Sequence, residues 1–304
     1  MGYLFLSLAV LAGAAKGYCG KKISGVAKTM ADASLVNFLR MFFCIVIGAV
    51  LMLSSGEIPF SSLDGTVVAI SALSGITTAV FVISWLISVR NGAYVMLDVF
   101  LMLGVGVTVS ACRIFLGEEI RLNQIIGFVI LVIAACIMCS YDVSLNGRMS
   151  PGKIALLVLC GVANGLTDFS QKLFVYKVEN AGAAEFNFYT YIFAAMTLFA
   201  AFVVLKIRSR KNREEQGDNG KMKLGRVLII VGIMAVCLFL NSYFKTLAAQ
   251  TQELSATLLY ASNQGAALIL SLFMAAIFFK EKITVRCVVG VCMAFAALLI
   301  INLL

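Results

Sequence analysis

The sequence contains no histidine and only 2 proline residues in 304. Without histidine, a Ser-His-Asp or Cys-His catalytic arrangement and a histidine metal site are excluded. A Gly-x-x-x-x-Gly-Lys-[Ser/Thr] phosphate loop is also absent, so the sequence does not indicate ATP hydrolysis by this chain. These absences argue against an enzyme, and we predict no cofactor and no metal.

The 9 cysteines lie mostly inside apolar segments. Cys136 and Cys139 form a Cys-x-x-Cys pair, but no second pair of ligands accompanies it. We therefore interpret the cysteines as packing residues of a hydrophobic core, and not as zinc ligands or disulfide partners.

Charged residues are scarce, at 13% of the chain against 62% hydrophobic residues, and the mean hydropathy is +1.01. Soluble domains usually have about 25% charged residues. A window of about 20 residues detects ten apolar runs of a length that suits a bilayer, some of them short. The runs are 3–19, 35–53, 67–89, 93–116, 125–140, 154–174, 186–205, 227–249, 255–279 and 285–304. The sequence therefore predicts an all-α polytopic membrane protein with ten transmembrane helices.

The formal net charge of +9 comes largely from one polar stretch, because residues 206–226 contain eight Lys or Arg. We interpret this stretch as a flexible basic loop between the seventh and eighth helices. A basic run beside a membrane is more typical of a cytoplasmic loop or of contact with anionic lipid than of nucleic-acid binding. Membrane lipid is therefore an expected partner, and nucleic acid is not.

Three short segments recur in the same order in the two halves of the chain. LAVLAGAAKG (8–17) matches LLVLCGVANG (156–165) at six of ten positions, VNFLRMFF (36–43) pairs with FNFYTYIF (186–193), and FLGEEIRLNQIIG (115–127) with FFKEKITVRCVVG (278–290). Because each copy has five helices, the copies must cross the membrane in opposite senses. We predict two inverted repeats, 1–145 and 146–304. The first apolar run, which copies the sixth, is then a retained helix and not a signal peptide.

These features resemble the drug/metabolite transporter superfamily, in its EamA-like branch. The resemblance rests on the ten helices, on a [Gly/Lys]-Glu-x-Ile turn before the last helix of each half, and on basic residues at Arg40, Lys21 and Lys22. It implies a secondary transporter or exchanger of a small organic solute, with the substrate in a central cavity between the halves. We expect a multi-pass protein of the bacterial plasma membrane. The resemblance does not identify the solute.

Four ionisable side chains stand out inside the apolar runs: Lys16, Asp98, Asp168 and Lys245. An ionisable residue inside a membrane helix costs at least ~2.5 to 3.5 kcal/mol, so each should have a partner, a wet cavity or a function. Lys16 and Asp98 lie toward one membrane face, and the other two lie toward the opposite face. We predict one charge pair on each side of a central cavity. The alternative for the lysines is that they extend toward lipid headgroups.

Other polar and aromatic residues lie at helical spacing from these charges. They are Tyr94 beside Asp98, Asn164 beside Asp168, Asn241 beside Lys245, then Tyr260, Asn263 and Gln264 on the ninth helix, and Trp85 and Ser88 on the third. Polar faces on several helices predict one shared substrate cavity, in which an aromatic ring could stack on a ring or hold an ammonium group. For Trp85, an anchor at the lipid interface is an equal alternative.

Asp98 is our first candidate for a coupling or cation-binding group. A carboxylate whose proton affinity differs between two conformations can couple solute flux to a proton gradient. We therefore hypothesise that transport is coupled to protons through Asp98. A purely structural hydrogen bond is the alternative.

Two sets of repeated residues are interpreted as structural. Glu118 and Glu281 directly precede the fifth and tenth helices, where a carboxylate can cap free N–H groups. The glycine pairs have the four-residue spacing that lets membrane helices approach closely, and they are Gly13 with Gly17 and Gly161 with Gly165. The first and sixth helices are expected to meet each other or an equivalent neighbour across a pseudo-two-fold axis.

Orientation stays open between two predictions. Lys and Arg favour the side that carries the loops after helices 1, 3, 5, 7 and 9, which places these loops in the cytoplasm and both termini outside. The family resemblance implies cytoplasmic termini instead. We follow the charge bias.

A second function class is a non-transporting membrane scaffold or accessory subunit whose basic loop binds a partner. Polar faces inside the bundle favour transport, because a scaffold has no need of an intramembrane aspartate. A homodimer is left open for both classes.

Overall fold

A computed structural model describes residues 1–27, 29–56, 64–92, 94–146, 150–178, 182–211, 224–251 and 255–302. The helices within these ranges are α1 (Gly2–Ile23), α2 (Met30–Ser54), α3 (Gly65–Asn91), α4 (Tyr94–Leu116), α5 (Leu122–Asn146), α6 (Pro151–Lys177), α7 (Ala183–Lys211), α8 (Leu224–Gln250), α9 (Ala256–Ile277) and α10 (Val285–Asn302). In these described parts, nine helices are long and apolar enough to cross a membrane, and the apolar part of α10, Val285–Ile301, is shorter. The predicted all-α class with ten helices is confirmed.

Polar side chains explain where several helices begin. At the start of α2, the Thr29 hydroxyl accepts a hydrogen bond from the Asp32 N–H, and the Asp32 carboxylate accepts one from the Thr29 N–H. Ser150 caps α6 directly before Pro151, whose fixed φ and missing N–H suit the first helical position. Ser255 caps α9 in the same way. These caps satisfy N–H groups that no helical carbonyl reaches.

The helices pack with an approximate two-fold pattern. α1 packs on α8 as α6 packs on α3, and the equivalent helices of the two halves pair as α2 with α7, α4 with α9 and α5 with α10. Because each half contains five helices, the halves run in opposite senses, so the fold is an inverted repeat. One membrane face, called here the α1–α2 face, carries the connections after α1, α3, α5, α7 and α9. The opposite face is called the α2–α3 face.

The repeated Glu motif has a structural origin at the ends of α4 and α9. The backbone is left-handed at Gly117 (φ 72°) and at Lys280 (φ 50°). In each turn the following glutamate N–H donates across six residues, from Glu118 to the carbonyl of Cys112 (3.5 Å) and from Glu281 to that of Ala275 (2.9 Å). A residue in the left-handed conformation directly after the last turn is a common way for a helix to end. The chain repeats the motif because it turns twice in the same way.

Two expectations from hydropathy need correction. α7 continues to Lys211 and α8 begins at Leu224, so the basic loop predicted over 206–226 is helical at both ends, and residues 212–223 lie outside the described ranges. Hydropathy marks the end of the apolar stretch, but Lys and Arg are good helix formers and continue the helix beyond it. Of the cysteines assigned to the core, Cys136 and Cys292 are exposed on the bundle surface. A hydrocarbon environment accepts an apolar thiol as readily as a protein core does.

Candidate functional site

Two small cavities lie inside the bundle, between the repeats. The Asp98 cavity has a volume of about 50 Å³ and is bounded by α1, α3, α4, α6, α8 and α9. The Thr190 cavity has a volume of about 40 Å³ and is bounded by α1, α3, α6, α7 and α8. The residues that line both cavities are Lys16, Phe81, Asn164, Asn241 and Lys245. The wall shared by the two cavities is therefore predominantly polar.

A buried ion pair supports this shared wall. The Lys245 ammonium lies 2.5 Å from Asp168 Oδ1, and the two side chains are 9% and 1% exposed. Asn164 Nδ2 donates to the other carboxylate oxygen over 3.5 Å, and the Lys245 ammonium lies 5.8 Å from the centre of the Tyr260 ring. Lys245 therefore points into the protein, and the alternative that it extends toward headgroups is wrong.

Lys16 and Asp98 line the same cavity without forming the predicted second pair. Within the described residues, Lys16 has no carboxylate at ion-pair distance, and its ammonium lies 5.6 Å from the centre of the Phe81 ring. Asp98 faces the side chain of Ser271 on α9. The two side chains therefore contact different helices, Lys16 the Phe81 ring on α3 and Asp98 the Ser271 side chain on α9.

The other predicted site residues fall into two groups. Those that line the Asp98 cavity are Trp85, Tyr94, Asn164, Asn241, Asn263 and Gln264. Tyr260 and Asp168 lie behind Lys245, and Ser88 is buried outside both cavities. Trp85 is only 5% exposed, so it lies inside the bundle and not at the lipid interface. No three His, Cys, Asp or Glu side chains of the described residues are grouped so that they could hold a metal ion.

The sequence prediction missed a polar network on the α2–α3 side of the Thr190 cavity. Gln171 Nε2 donates to the Thr246 hydroxyl (2.6 Å) and to the Ser242 carbonyl (3.0 Å). Asn187 Nδ2 also reaches the Thr246 hydroxyl (3.3 Å), and the Tyr260 hydroxyl donates to Gln171 Oε1 (3.5 Å). The network joins four helices. Buried amides in apolar runs were the available signal, because such groups need partners.

An ion pair and aromatic contacts join α1, α4 and the turn after α9 near the α1–α2 face, where the rings of Tyr18 and Tyr94 pack against Phe279. The Glu281 carboxylate lies 3.3 Å from the Lys21 ammonium and accepts the Tyr94 N–H at 3.2 Å. Lys21 also donates to the carbonyl of Val89 at 3.0 Å. Glu281 was expected to cap the helix that follows it, but it caps α4 of the other repeat, because the left-handed turn at Lys280 directs the chain there. This contact joins the two repeats.

Comparison with known proteins identifies the fold family. The sequence profile described as the EamA-like transporter family matches residues 152–303, which is half of the chain and covers α6 to α10. The chain belongs to the EamA-like transporter family. The family predicted from the sequence is thereby confirmed. Its members are multi-pass membrane transporters and not enzymes. No curated protein matches the chain significantly.

A solved structure has the same fold as this EamA-like transporter. Its title reads only "Crystal structure of protein", and the match covers 97% of this chain and 98% of that chain with a TM-score of 0.58. The two sequences are 12% identical, so the likeness concerns the fold alone.

The repeated glycines of this EamA-like transporter bring α6 against α4, and they do not bring α1 and α6 together. A methyl group on Gly165 would overlap the Gly104 carbonyl, and one on Gly161 would meet the Phe100 carbonyl. In α1, the same positions face side chains: Gly13 faces Asn241, and Gly17 faces the Tyr94 hydroxyl. The sequence predicts close packing at these positions, but the neighbour depends on the tertiary structure.

Proposed function

We propose that this EamA-like transporter is a secondary transporter or exchanger of a small organic metabolite that works by alternating access. The solute would bind in the Asp98 and Thr190 cavities, between the repeats. The observation that carries the proposal is their shared wall, where Lys16, Asn164, Asn241 and Lys245 meet deep inside a membrane bundle. Polar groups at this depth are costly, and a scaffold would gain nothing from them.

The small cavity volumes support a transport cycle in which the cavities expand to admit the solute. Ligand pockets usually measure ~300 to 1,000 Å³. Cavities of about 50 and 40 Å³ hold a few water molecules at most. A solute can therefore enter only if helices of the two repeats move apart, and rocking of one repeat against the other supplies such a movement.

Uptake into proteoliposomes tests the proposal. Vesicles with the purified protein are incubated with a pooled metabolite mixture, with and without a pH gradient, and their contents are measured by mass spectrometry. We expect at least one solute to accumulate relative to vesicles without protein and to vesicles with heat-inactivated protein. If folded protein enriches no solute in any gradient, transport is refuted and the scaffold alternative is favoured.

Asp98 is proposed as the proton-coupling group because it lines the cavity and has no ion-pair partner among the described residues. Asp98→Asn keeps the shape but cannot titrate. With one proton per solute, a gradient of one pH unit supports about tenfold accumulation, since one unit equals 1.36 kcal/mol. We expect the Asn variant to exchange solute across the membrane without accumulating it, so that the inside and outside concentrations become about equal. Asp64→Asn, at the exposed start of α3, is the control. Unchanged accumulation by Asp98→Asn would exclude it as the coupling group.

Glu281 is proposed to hold the α1–α2 side closed. Its sequence counterpart Glu118 is partly exposed and forms no ion pair with any described residue. Within the described residues, the ion pair of Glu281 therefore has no counterpart at Glu118, so the two variants form a matched pair.

Glu281→Gln should loosen this closure, because the neutral amide loses the ion pair with Lys21. A hydrogen bond to a charged group contributes about 1.5 to 3 kcal/mol, less when partly exposed, so amide exchange at the start of α4 should accelerate about tenfold. Hydrogen–deuterium exchange measured by mass spectrometry follows a peptide that begins several residues before Tyr94 and includes its amide. Glu118→Gln should leave that peptide unchanged. Equal effects of both substitutions would contradict the closing role.

A further inference from the structure

Arg40 on α2 is a buried cation without a partner. Its residue exposure is 1%, and it forms no ion pair and no hydrogen bond with any described residue. Its Nε is buried and has no acceptor. Burying an unpaired charge costs several kcal/mol, so a guanidinium in this position requires an anion that the described protein does not supply.

Lys16 is a second cation without a counter-ion, and it lies close to the first. The charged groups that act on its ammonium are Arg40, Lys245, Asp98 and Asp168, three cations with Lys16 itself against two carboxylates. Lys245 is already neutralised by Asp168 at 2.5 Å, and Asp98, which shares the Asp98 cavity with Lys16, does not line the Thr190 cavity. Positive charge is therefore in excess where Lys16 meets the Thr190 cavity.

Neutral hydrogen-bond donors surround the same space. The hydroxyls of Ser74 and Thr190 line the Thr190 cavity, are buried, and have no hydrogen-bond partner among the described residues. Tyr191 lines the cavity too and lies beside Arg40. Lys16 and these free hydroxyls form a donor-rich pocket that can bind the oxygens of a carboxylate or phosphate. Arg40 is not part of the lining of this cavity, but it adds positive charge beside Tyr191.

We infer that the transported solute carries an anionic oxyacid group, which binds in the Thr190 cavity beside Lys16. This inference rests on the proposed function, because it assigns a chemical class to the solute of that site. A carboxylate or a phosphate there would neutralise Lys16, accept hydrogen bonds from Ser74 and Thr190, and offset the charge of Arg40 through space. The remainder of the solute would extend into the Asp98 cavity, beside Trp85.

The inference makes an unusual prediction for the empty protein. Because Arg40 and Lys16 are unpaired, Arg40→Met and Lys16→Met should leave its melting temperature unchanged or raise it, since each change removes an uncompensated charge. A structural cation would behave in the opposite way, and Lys245→Met should lower the melting temperature. Binding of an anion should raise the melting temperature of the parent. In Arg40→Met and in Lys16→Met, the affinity for that anion should fall at least tenfold.

Thermal unfolding of the detergent-purified full chain tests this with matched probes. These are L-lactate with L-lactamide, benzoate with benzamide, and glucose 6-phosphate with glucose, together with sodium chloride and inorganic phosphate. We expect at least one organic anion, but not its neutral partner, to stabilise the parent and the exposed control Lys177→Met. The carboxylate and phosphate arms distinguish the two kinds of oxyacid.

Several results would overturn the inference. They are no shift with any organic anion, an equal shift with the neutral partners, the whole shift with chloride or inorganic phosphate alone, or undiminished anion binding in both Met variants. The uptake experiment separates this failure from that of the proposed function. Accumulation of only neutral or cationic solutes would leave transport standing and refute the anionic solute, whereas anion binding without any uptake would refute transport.

Discussion

Replacing Asp168 by Asn or Lys245 by Met should destabilise the protein strongly, whereas the double substitution should recover much of the loss. The pair is buried, with 2.5 Å between the ammonium and the carboxylate. Removing one partner of a buried pair leaves an uncompensated charge and costs about 3 to 5 kcal/mol. Removing both leaves none, so the effects should be non-additive by roughly 2 kcal/mol.

Thermal and denaturant unfolding in detergent measure this coupling, and proteoliposome uptake reports its effect on transport. The pair between Asp142 and Lys153 is the matched control, because it has the same 2.5 Å distance but lines neither cavity. Its disruption should lower stability without changing the affinity of the folded protein for solute. Additive effects of Asp168→Asn and Lys245→Met would show that the two charges do not interact.

Gly104→Ala and Gly165→Ala should each separate α4 from α6 and lower stability by about 1 to 3 kcal/mol or more. A methyl group on either glycine would overlap a backbone carbonyl of the other helix, and a backbone cannot move aside as a flexible side chain can. The Thr108 hydroxyl, which donates to the Gly165 carbonyl at 2.9 Å, should lose this bond. Once the helices are apart, the second methyl group costs little, so the double variant should be less destabilised than the sum.

Gly232→Ala in α8 is the matched control for these variants, since a methyl group there meets no atom within 4 Å. It should be neutral or stabilising by up to about 1 kcal/mol, because alanine has the higher helix propensity. Melting temperatures of the purified variants make the comparison. If Gly104→Ala and Gly165→Ala have the same melting temperature as Gly232→Ala, α4 and α6 are not in backbone contact.

Local patterns were sufficient for the ten helices and the inverted arrangement of the repeats. Hydropathy depends only on the composition of each segment, so it detects each helix separately. Because each repeat has five helices, an odd number, the second repeat must start on the opposite side of the membrane from the first. The polar residues of the site could be selected in the same way, because an ionisable or amide side chain in an apolar run is costly wherever the helix lies. Asp98, Asn164, Asn241 and Lys245 were therefore predictable as a set.

Pairing of these groups could not be read from such patterns. Lys16 and Asp98 lie at a similar depth, yet only Lys245 and Asp168 meet, because pairing depends on how each helix is rotated toward its neighbours. Arg40 illustrates the same limit: its position in an apolar helix was visible, but its lack of a partner was not.

By itself the sequence determined that this protein is a ten-helix membrane bundle of two inverted repeats with polar residues inside, since these properties follow from the composition of single segments and from the recurrence of short motifs, without any knowledge of which helices touch. Only the tertiary structure decided that α6 packs on α4 through glycines, that Glu281 caps a helix of the other repeat, and that Arg40 and Lys16 have no ion-pair partner among the described residues. The physical reason is that these contacts join residues far apart in sequence, and their distances are set by the packing of whole helices.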